Sequence, residues 1–105
     1  SHSVPQFVPV ARFPVVKRDL SIVIDEGISA NDLILAVKQI SDNLLNNVEI
    51  FDVYTGEGID FGKKSVALGL TFLDPSRTLI DSEVDQAVQA IIVGLKNQLN
   101  ATMRA

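Results

Sequence analysis

One eight-residue segment, Ser65 to Phe72, alternates strictly between apolar residues and small or polar ones. A period of two is typical of a β-strand with one buried face, because successive side chains point to opposite sides of a sheet. The apolar residues at every second position face a core, while Ser65, Ala67, Gly69 and Thr71 face away from it. The sequence therefore predicts a sheet with one side, here called the open face, that is lined by small side chains.

Residues on either side of this segment predict the other elements of the fold. Apolar residues alternate again in one segment, and a second is rich in β-branched and aromatic residues. Two more segments carry apolar residues at helical spacing, with Ser29 and Asp81 as N-cap residues. The predicted strands are 18–25, 48–54, 65–72 and a short edge strand within 101–105, and the predicted helices are about 30–42 and from 81 onward. This order predicts an α+β fold, a ferredoxin-like split βαβ sandwich with a four-stranded antiparallel sheet and two helices on one face.

Composition limits the chemistry that this chain can perform. Its 105 residues suffice for one small domain, which we expect over 12–105, after a tag remnant and linker at 1–11. There is no cysteine, and the one histidine is His2 in the expected tag remnant. Thiol and imidazole catalysis and thiolate metal sites are therefore excluded, and we expect no metal site. No apolar run is long enough to cross a bilayer, so we expect no membrane partner.

The strand at 48–54 contributes one aromatic ring to the open face. Its alternation assigns Phe51 and Val53 to the core, and Asp52 and Tyr54 to the open face. The other two apolar residues of this strand would then share the open side, unless a bulge or a covering contact intervenes. An unpaired base can stack on a ring such as Tyr54. A sheet face half-covered by another domain would give the same pattern.

Charge gives two opposing indications. The formal net charge of −4 argues, when taken alone, against a polyanionic partner. The distribution is uneven, however, because Arg18 opens the first strand and Lys63 and Lys64 open the third, while acidic residues gather in the second helix. The two strands are neighbours in the predicted sheet, so we expect these cations to converge near Tyr54. Solvated lysines that protect a sheet edge from aggregation would look the same.

Five short motifs occur in one order along the chain. They are Phe13-Pro14 with Arg18-Asp19-Leu20-Ser21, Phe51-Asp52-Val53-Tyr54, Gly56-Glu57-Gly58, Gly62-Lys63-Lys64-Ser65 and Asp74-Pro75-Ser76-Arg77-Thr78-Leu79. Together they resemble the ferredoxin-fold anticodon-binding domain at the C-terminus of the bacterial phenylalanyl-tRNA synthetase β subunit. The resemblance covers about residues 12–105. The loop containing Ile59-Asp60-Phe61 lacks the prolines that are common in that family.

This resemblance implies a binding module without catalysis of its own. Its partners would be the anticodon stem-loop of tRNA(Phe), the rest of the β subunit, and the α subunit of a cytoplasmic α2β2 enzyme. Tyr54 would match the aromatic ring that contacts an anticodon base, and Ser65 and Ala67 would match neighbouring positions on the sheet. No cofactor is expected in this chain, whereas the parent enzyme would use ATP and Mg²⁺ elsewhere.

The positive residues are candidates for phosphate contacts. We expect this role for Lys63, Lys64 and Arg18, although Arg18 and Asp19 could equally form a structural pair. Two other classes of protein remain open, a small-molecule-binding regulatory domain of the same topology and a structural assembly domain that buries its open face against protein.

Overall fold

The computed structural model describes residues 13–104 and contains two helices and four strands. In chain order these are β1 (Val16–Asp25), α1 (Ala30–Ile40), β2 (Leu45–Tyr54), β3 (Lys63–Phe72), α2 (Asp81–Leu99) and β4 (Thr102–Met103). The predicted order of elements and the α+β ferredoxin-like fold are confirmed. The predicted linker at 1–11 lies outside the described residues.

All neighbouring strands of the sheet run antiparallel, in the order β2-β3-β1-β4. In the central pair, Leu20 of β1 lies opposite Leu68 of β3, and Ile22 lies opposite Val66. Directly opposed residues share a face in an antiparallel pair, so these four buried side chains define the helix side of the sheet.

Both helices bury their apolar residues against this side. Leu33 and Val37 of α1 and Val84, Ile91 and Leu95 of α2 are almost fully buried in one cluster with the strand residues. Removing this apolar surface from water is the main favourable contribution to the folding free energy. One hydrophobic core on one side therefore leaves the other side of the sheet uncovered by helices.

The first turns of the helices differ in how they are capped. Ser29 caps α1 as predicted, because its hydroxyl accepts the backbone N–H of Asp32 at 3.0 Å. The prediction that Asp81 caps α2 is wrong, since Ile80 occupies the N-cap position and Asp81 is the first helical residue. The side chain of Glu83 instead reaches back and accepts the N–H of Ile80 at 2.9 Å.

A β-bulge in β2 changes the predicted faces of that strand. Ile50 lies opposite Leu68 and Asp52 lies opposite Ala67, so Phe51 between them has no partner in β3. One inserted residue shifts the alternation, because two residues of β2 then face one residue of β3. The prediction that Phe51 belongs to the core is wrong. Val53 does lie on the helix side, opposite Val66, but half of it is exposed.

Candidate nucleic-acid interface

Three of the predicted site residues lie together on the open face. Tyr54 at the end of β2 is directly opposite Ser65 of β3, and Ala67 follows on the same side of β3. The next strand continues the open face with Ser21, which lies opposite Ala67. Near Tyr54 the open face therefore combines one aromatic ring with small side chains, as the alternation predicted, and Asp52 opposite Ala67 adds a carboxylate.

Arg104 completes this part of the open face. Its backbone N–H donates to the Ser21 carbonyl at 3.0 Å, which extends the pairing of β4 with β1 by one residue. The Arg104 guanidinium lies 5.4 Å from the centroid of the Tyr54 ring, within the range of a cation–π interaction. Its Nη1 atom also donates to Ser65 Oγ at 3.2 Å. Arg104 thus links β4 to β2 across the two central strands.

The contact with Arg104 explains the burial of Ser65. Only 4% of this residue is exposed, and it is the one buried polar residue among residues 13–104. A buried hydroxyl is costly without a hydrogen-bond partner, and the guanidinium supplies one. A ligand would therefore reach the Ser65 hydroxyl only after Arg104 moves aside.

The orientation of the Tyr54 ring is fixed from the other end by the β2–β3 loop. The Tyr54 hydroxyl donates to the Glu57 carbonyl at 3.0 Å. The loop passes close to the ring at Gly56, where φ is 129° and an added Cβ would lie 3.3 Å from the Tyr54 Oη. Glycine is the residue that adopts this backbone conformation without strain. Tyr54 is consequently held at both its ring and its hydroxyl while 38% of it remains exposed.

A second aromatic ring lies on the open face because of the bulge. A Cβ built on Gly69 would point to the open face and would meet Cε1 of Phe51 at 3.2 Å. The Phe51 ring therefore lies over Gly69, and 55% of Phe51 is exposed. Among residues 13–104, the strands thus place two aromatic residues on the open face, both in β2.

Lys63 and Lys64 have different surroundings although they are adjacent. Lys63 shares the open side with Ser65, and its Nζ is 2.7 Å from the Asp25 carboxylate on the neighbouring strand. Lys64 belongs to the helix side, where its Nζ donates to the Ile28 carbonyl in the β1–α1 connection. Only Lys63 is close to the face that carries Tyr54.

Arg18 lies far from both lysines. Because β1 and β3 are antiparallel, Arg18 is opposite Leu70, whereas Lys63 is opposite Asp25 at the other end of the pair. The predicted convergence of Arg18 with the lysines is therefore wrong. Arg18 lies on the helix side, 3.8 Å from Asp81 and 3.7 Å from Asp85 of α2.

Two of the residues that define the open face escaped the sequence interpretation. Arg104 follows the two-residue strand β4, where too few residues are present for a period to be recognised. Phe51 was assigned by alternation, and alternation fails at a bulge. A sequence signal existed for the second case, since the predicted faces left Val48 and Ile50 on the open side. Both are on the helix side in the structure, opposite Leu70 and Leu68.

The Asp74–Leu79 segment, one of the family motifs, has a structural role on the helix side. Arg77 makes two hydrogen bonds to Glu83, at 2.6 and 2.7 Å. These bonds, followed by the one from the Ile80 N–H, lower the pKa of Glu83 to about 2. Hydrogen bonds from the Ser76 side chain and backbone lower the pKa of Asp74. The cluster fixes the chain at the start of α2.

Residues 13–104 offer neither a metal-binding cluster nor a helix that could cross a membrane. No group of three or more histidine, cysteine, aspartate or glutamate side chains in this range is placed to hold a metal ion. Neither of its helices has the length and apolar composition that crossing a membrane requires.

Comparison with known proteins agrees with this geometry. Residues 11–104 match the family model described as the ferredoxin-fold anticodon binding domain. The phenylalanine–tRNA ligase beta subunit of Coxiella burnetii is 44% identical over 102 residues, which are 96% of this chain. The subunits of the same name from Shewanella oneidensis and Pseudomonas fluorescens are 38% and 42% identical, over 97% and 95% of this chain. The chain spans 13% of the length of each of these relatives. With its fold and nearly all of its length matched, the chain belongs to the ferredoxin-fold anticodon binding domain family.

Proposed function

We propose that this chain is the anticodon-binding module of a phenylalanine–tRNA ligase beta subunit and binds the anticodon stem-loop of tRNA(Phe) on its open face. Aminoacylation takes place elsewhere in that enzyme, an α2β2 assembly with the α subunit that uses ATP and Mg²⁺. The observation that supports the proposal best is the arrangement of Tyr54, Arg104 and Ser65, where an oriented ring adjoins a guanidinium and a small polar side chain.

Each of these groups has a role suited to an unpaired nucleotide. A base stacks on the Tyr54 ring, and the small side chain of Ala67 lets it approach the sheet closely. The Ser65 hydroxyl becomes accessible to the base when Arg104 moves aside. Arg104 is an exposed cation in no ion pair among residues 13–104, so its guanidinium is available for a phosphate or a base edge. Lys63 is the second phosphate contact of this proposal because it lies on the open side, where its Nζ is paired with Asp25. Lys64 and Arg18 lie on the helix side.

A direct test uses Tyr54 as its own probe. The chain contains one tyrosine and no tryptophan, so its intrinsic emission comes from Tyr54. Titration with the tRNA(Phe) anticodon stem-loop, corrected for RNA absorbance, is expected to quench this emission and to shift amide signals of β2 and β3. Arg104→Ala should weaken binding, whereas Lys96→Ala, which removes an exposed cation from the last turn of α2, should not. Amide shifts confined to the helices would contradict the proposal.

A second test uses the complete ligase with its α subunit. Stacking on one aromatic side chain contributes about 1–3 kcal/mol per base. Tyr54→Ala in the beta subunit should therefore lower kcat/KM for tRNA(Phe) charging by roughly tenfold, while amino-acid activation without tRNA is unchanged. An unchanged kcat/KM in a correctly folded variant would remove Tyr54 from the interface.

A further inference from the structure

Phe51 and Gly69 form a second arrangement on the open face that the function proposed for Tyr54 does not use. The bulge in β2 directs Phe51 to this side, and the missing side chain of Gly69 gives the ring a place against the sheet. A Cβ at residue 69 would be 3.2 Å from Cε1 and 3.5 Å from Cδ1 of the ring. The first of these contacts is tighter than ordinary van der Waals contact, so a side chain at residue 69 would require the ring to shift.

A ring held in this way presents its remaining surface to solvent. The phenyl group is covered by the backbone of Gly69 from below, yet 55% of Phe51 is exposed. Aromatic rings have two faces on which a base can stack, and neither helix within residues 13–104 covers this side of the sheet. Tyr54, three residues along the same strand, shares its ring with the Arg104 guanidinium, whereas no cation lies over Phe51 among residues 13–104.

The carboxylates beside Gly69 favour one class of base. Cγ of Glu49 would lie 3.6 Å from a Cβ at residue 69, and Asp19 is opposite Gly69 on β1. Neither carboxylate takes part in an ion pair among the described residues. Carboxylates accept hydrogen bonds from the amino groups of bases and repel phosphates. The surroundings therefore suit a base edge rather than the RNA backbone.

We propose that Phe51 is a second stacking position of the open face, which binds an unpaired base carrying an exocyclic amino group beside Glu49. This inference rests on the function proposed above, since it requires that RNA binds to this side of the sheet. It adds a second base to the one on Tyr54, and it explains why β3 has glycine at the position where the ring lies.

Three variants distinguish a base-stacking role of Phe51 from a role in which its side chain only covers the sheet. Phe51→Leu keeps an apolar side chain over Gly69 but has no aromatic face, so it should bind the anticodon stem-loop about tenfold more weakly. Phe51→Tyr retains the ring and should bind like the unchanged chain. Gly69→Ala keeps Phe51 but displaces its ring, and it should also weaken binding. Affinity is measured by anisotropy of labelled RNA, and urea denaturation confirms that each variant is folded.

The amino-group preference is tested with a second RNA. A stem-loop whose anticodon bases are all replaced by uridine lacks exocyclic amino groups there. Glu49→Ala should weaken binding of the tRNA(Phe) stem-loop severalfold and leave the uridine stem-loop unaffected. Equal effects on both RNAs would overturn the preference for amino-bearing bases.

The possible failures are distinguishable. If the unchanged chain neither binds the stem-loop nor loses Tyr54 emission, the proposed function fails and this inference fails with it. If the unchanged chain binds and Tyr54 is quenched, but Phe51→Leu and Phe51→Tyr bind equally well, then Phe51 only covers Gly69 and the inference alone is overturned.

Discussion

Two arginines of the same sheet, Arg18 and Arg104, have opposite surroundings because of their place in the strand register. Arg18 is opposite Leu70 and therefore meets the carboxylates of α2 on the helix side. Arg104 pairs through its backbone N–H with the Ser21 carbonyl, and the side chains of both residues lie on the open side. Its guanidinium contacts Tyr54 and Ser65. A shift of one position would exchange the two faces, since side chains alternate along a strand. The face of each cation, more than its presence, determines what it can bind.

This difference gives a prediction for single cations. Lys63→Ala removes a positive charge from the open side and should reduce the slope of log K against log salt for stem-loop binding by about 0.7. Arg18→Ala removes the same charge from the helix side and should leave that slope unchanged. The exposed ion pairs of Arg18 contribute about 0–1 kcal/mol, so the free energy of unfolding of the Arg18→Ala variant should change little. Equal effects of the two variants on the slope would contradict the assignment.

How far single residues were predictable depends on the length of a regular pattern. Ser65 and Ala67 were placed on the correct face because β3 alternates without interruption over eight residues. Phe51 was misplaced because a bulge adds one residue, and a bulge is decided by the pairing with β3 rather than by the sequence of β2 alone. Arg104 was missed because its position depends on which strand the short β4 joins, which is a property of the whole fold.

At the scale of elements, the start of α2 is held by hydrogen bonds to the Glu83 carboxylate. The carboxylate receives two hydrogen bonds from Arg77 and one from the Ile80 backbone, and these replace a side-chain cap. Because the pKa of Glu83 is lowered to about 2 in the folded state, ionisation of this group favours folding. The contribution is complete above the ordinary glutamate pKa of 4.5 and is lost as the pH falls toward 2.

Glu83→Gln should therefore lower stability at pH 7 and flatten the fall in stability between pH 4.5 and 2. Urea midpoints measured across this range provide the test. Asp74, whose pKa is also lowered, keeps part of the pH dependence in the variant. Asp85→Asn is the matched control, since this carboxylate on the same helix is in a single 3.7 Å contact with Arg18. A pH profile of Glu83→Gln parallel to that of the unchanged chain would contradict the linkage.

The two helices pack tightly against each other at Gly94. A Cβ at this position would lie 2.6–2.7 Å from Cγ2, Cδ1 and Cγ1 of Ile40 at the end of α1. Ile40 is β-branched and has few alternative rotamers in a helix, so it cannot easily move aside. The glycine, unfavourable for an isolated helix, is thus explained by helix packing.

Gly94→Ala tests whether the gain in helix propensity or the cost of overpacking against Ile40 is larger. Alanine improves helix propensity by about 1 kcal/mol, but overpacking costs typically about 1–3 kcal/mol. We expect net destabilisation of roughly 1 kcal/mol in urea denaturation. Combined with Ile40→Ala, which removes the clashing atoms, the same substitution should no longer destabilise, and the double-mutant cycle should show this coupling. Stabilisation by Gly94→Ala alone would show that the helices separate at little cost.

For the whole molecule, the net charge of −4 is a poor guide to what binds on one face. The open face has three cations among the described residues, Lys17 opposite Thr71, Lys63 and Arg104. The other basic residues of the described chain lie on the helices, on the helix side or in the segment before α2. Carboxylates at Asp19, Asp25, Glu49 and Asp52 accompany the open-face cations, and Asp25 is paired with Lys63. Such a surface has little general attraction for polyanions.

The salt dependence of RNA binding should reflect the small number of cations on the open face. Each phosphate neutralised by a cation contributes about 0.7 to the slope for single-stranded nucleic acid and about 0.9 for a duplex. Three open-face cations therefore limit the slope of log K against log salt to no steeper than about −3. Heparin, which offers dense negative charge without bases, should compete poorly with the anticodon stem-loop at equal charge concentration. A slope much steeper than this limit, or efficient competition by heparin, would mean that the helix-side cations take part. Binding would then depend on total positive charge rather than on stacking at Tyr54 and Phe51.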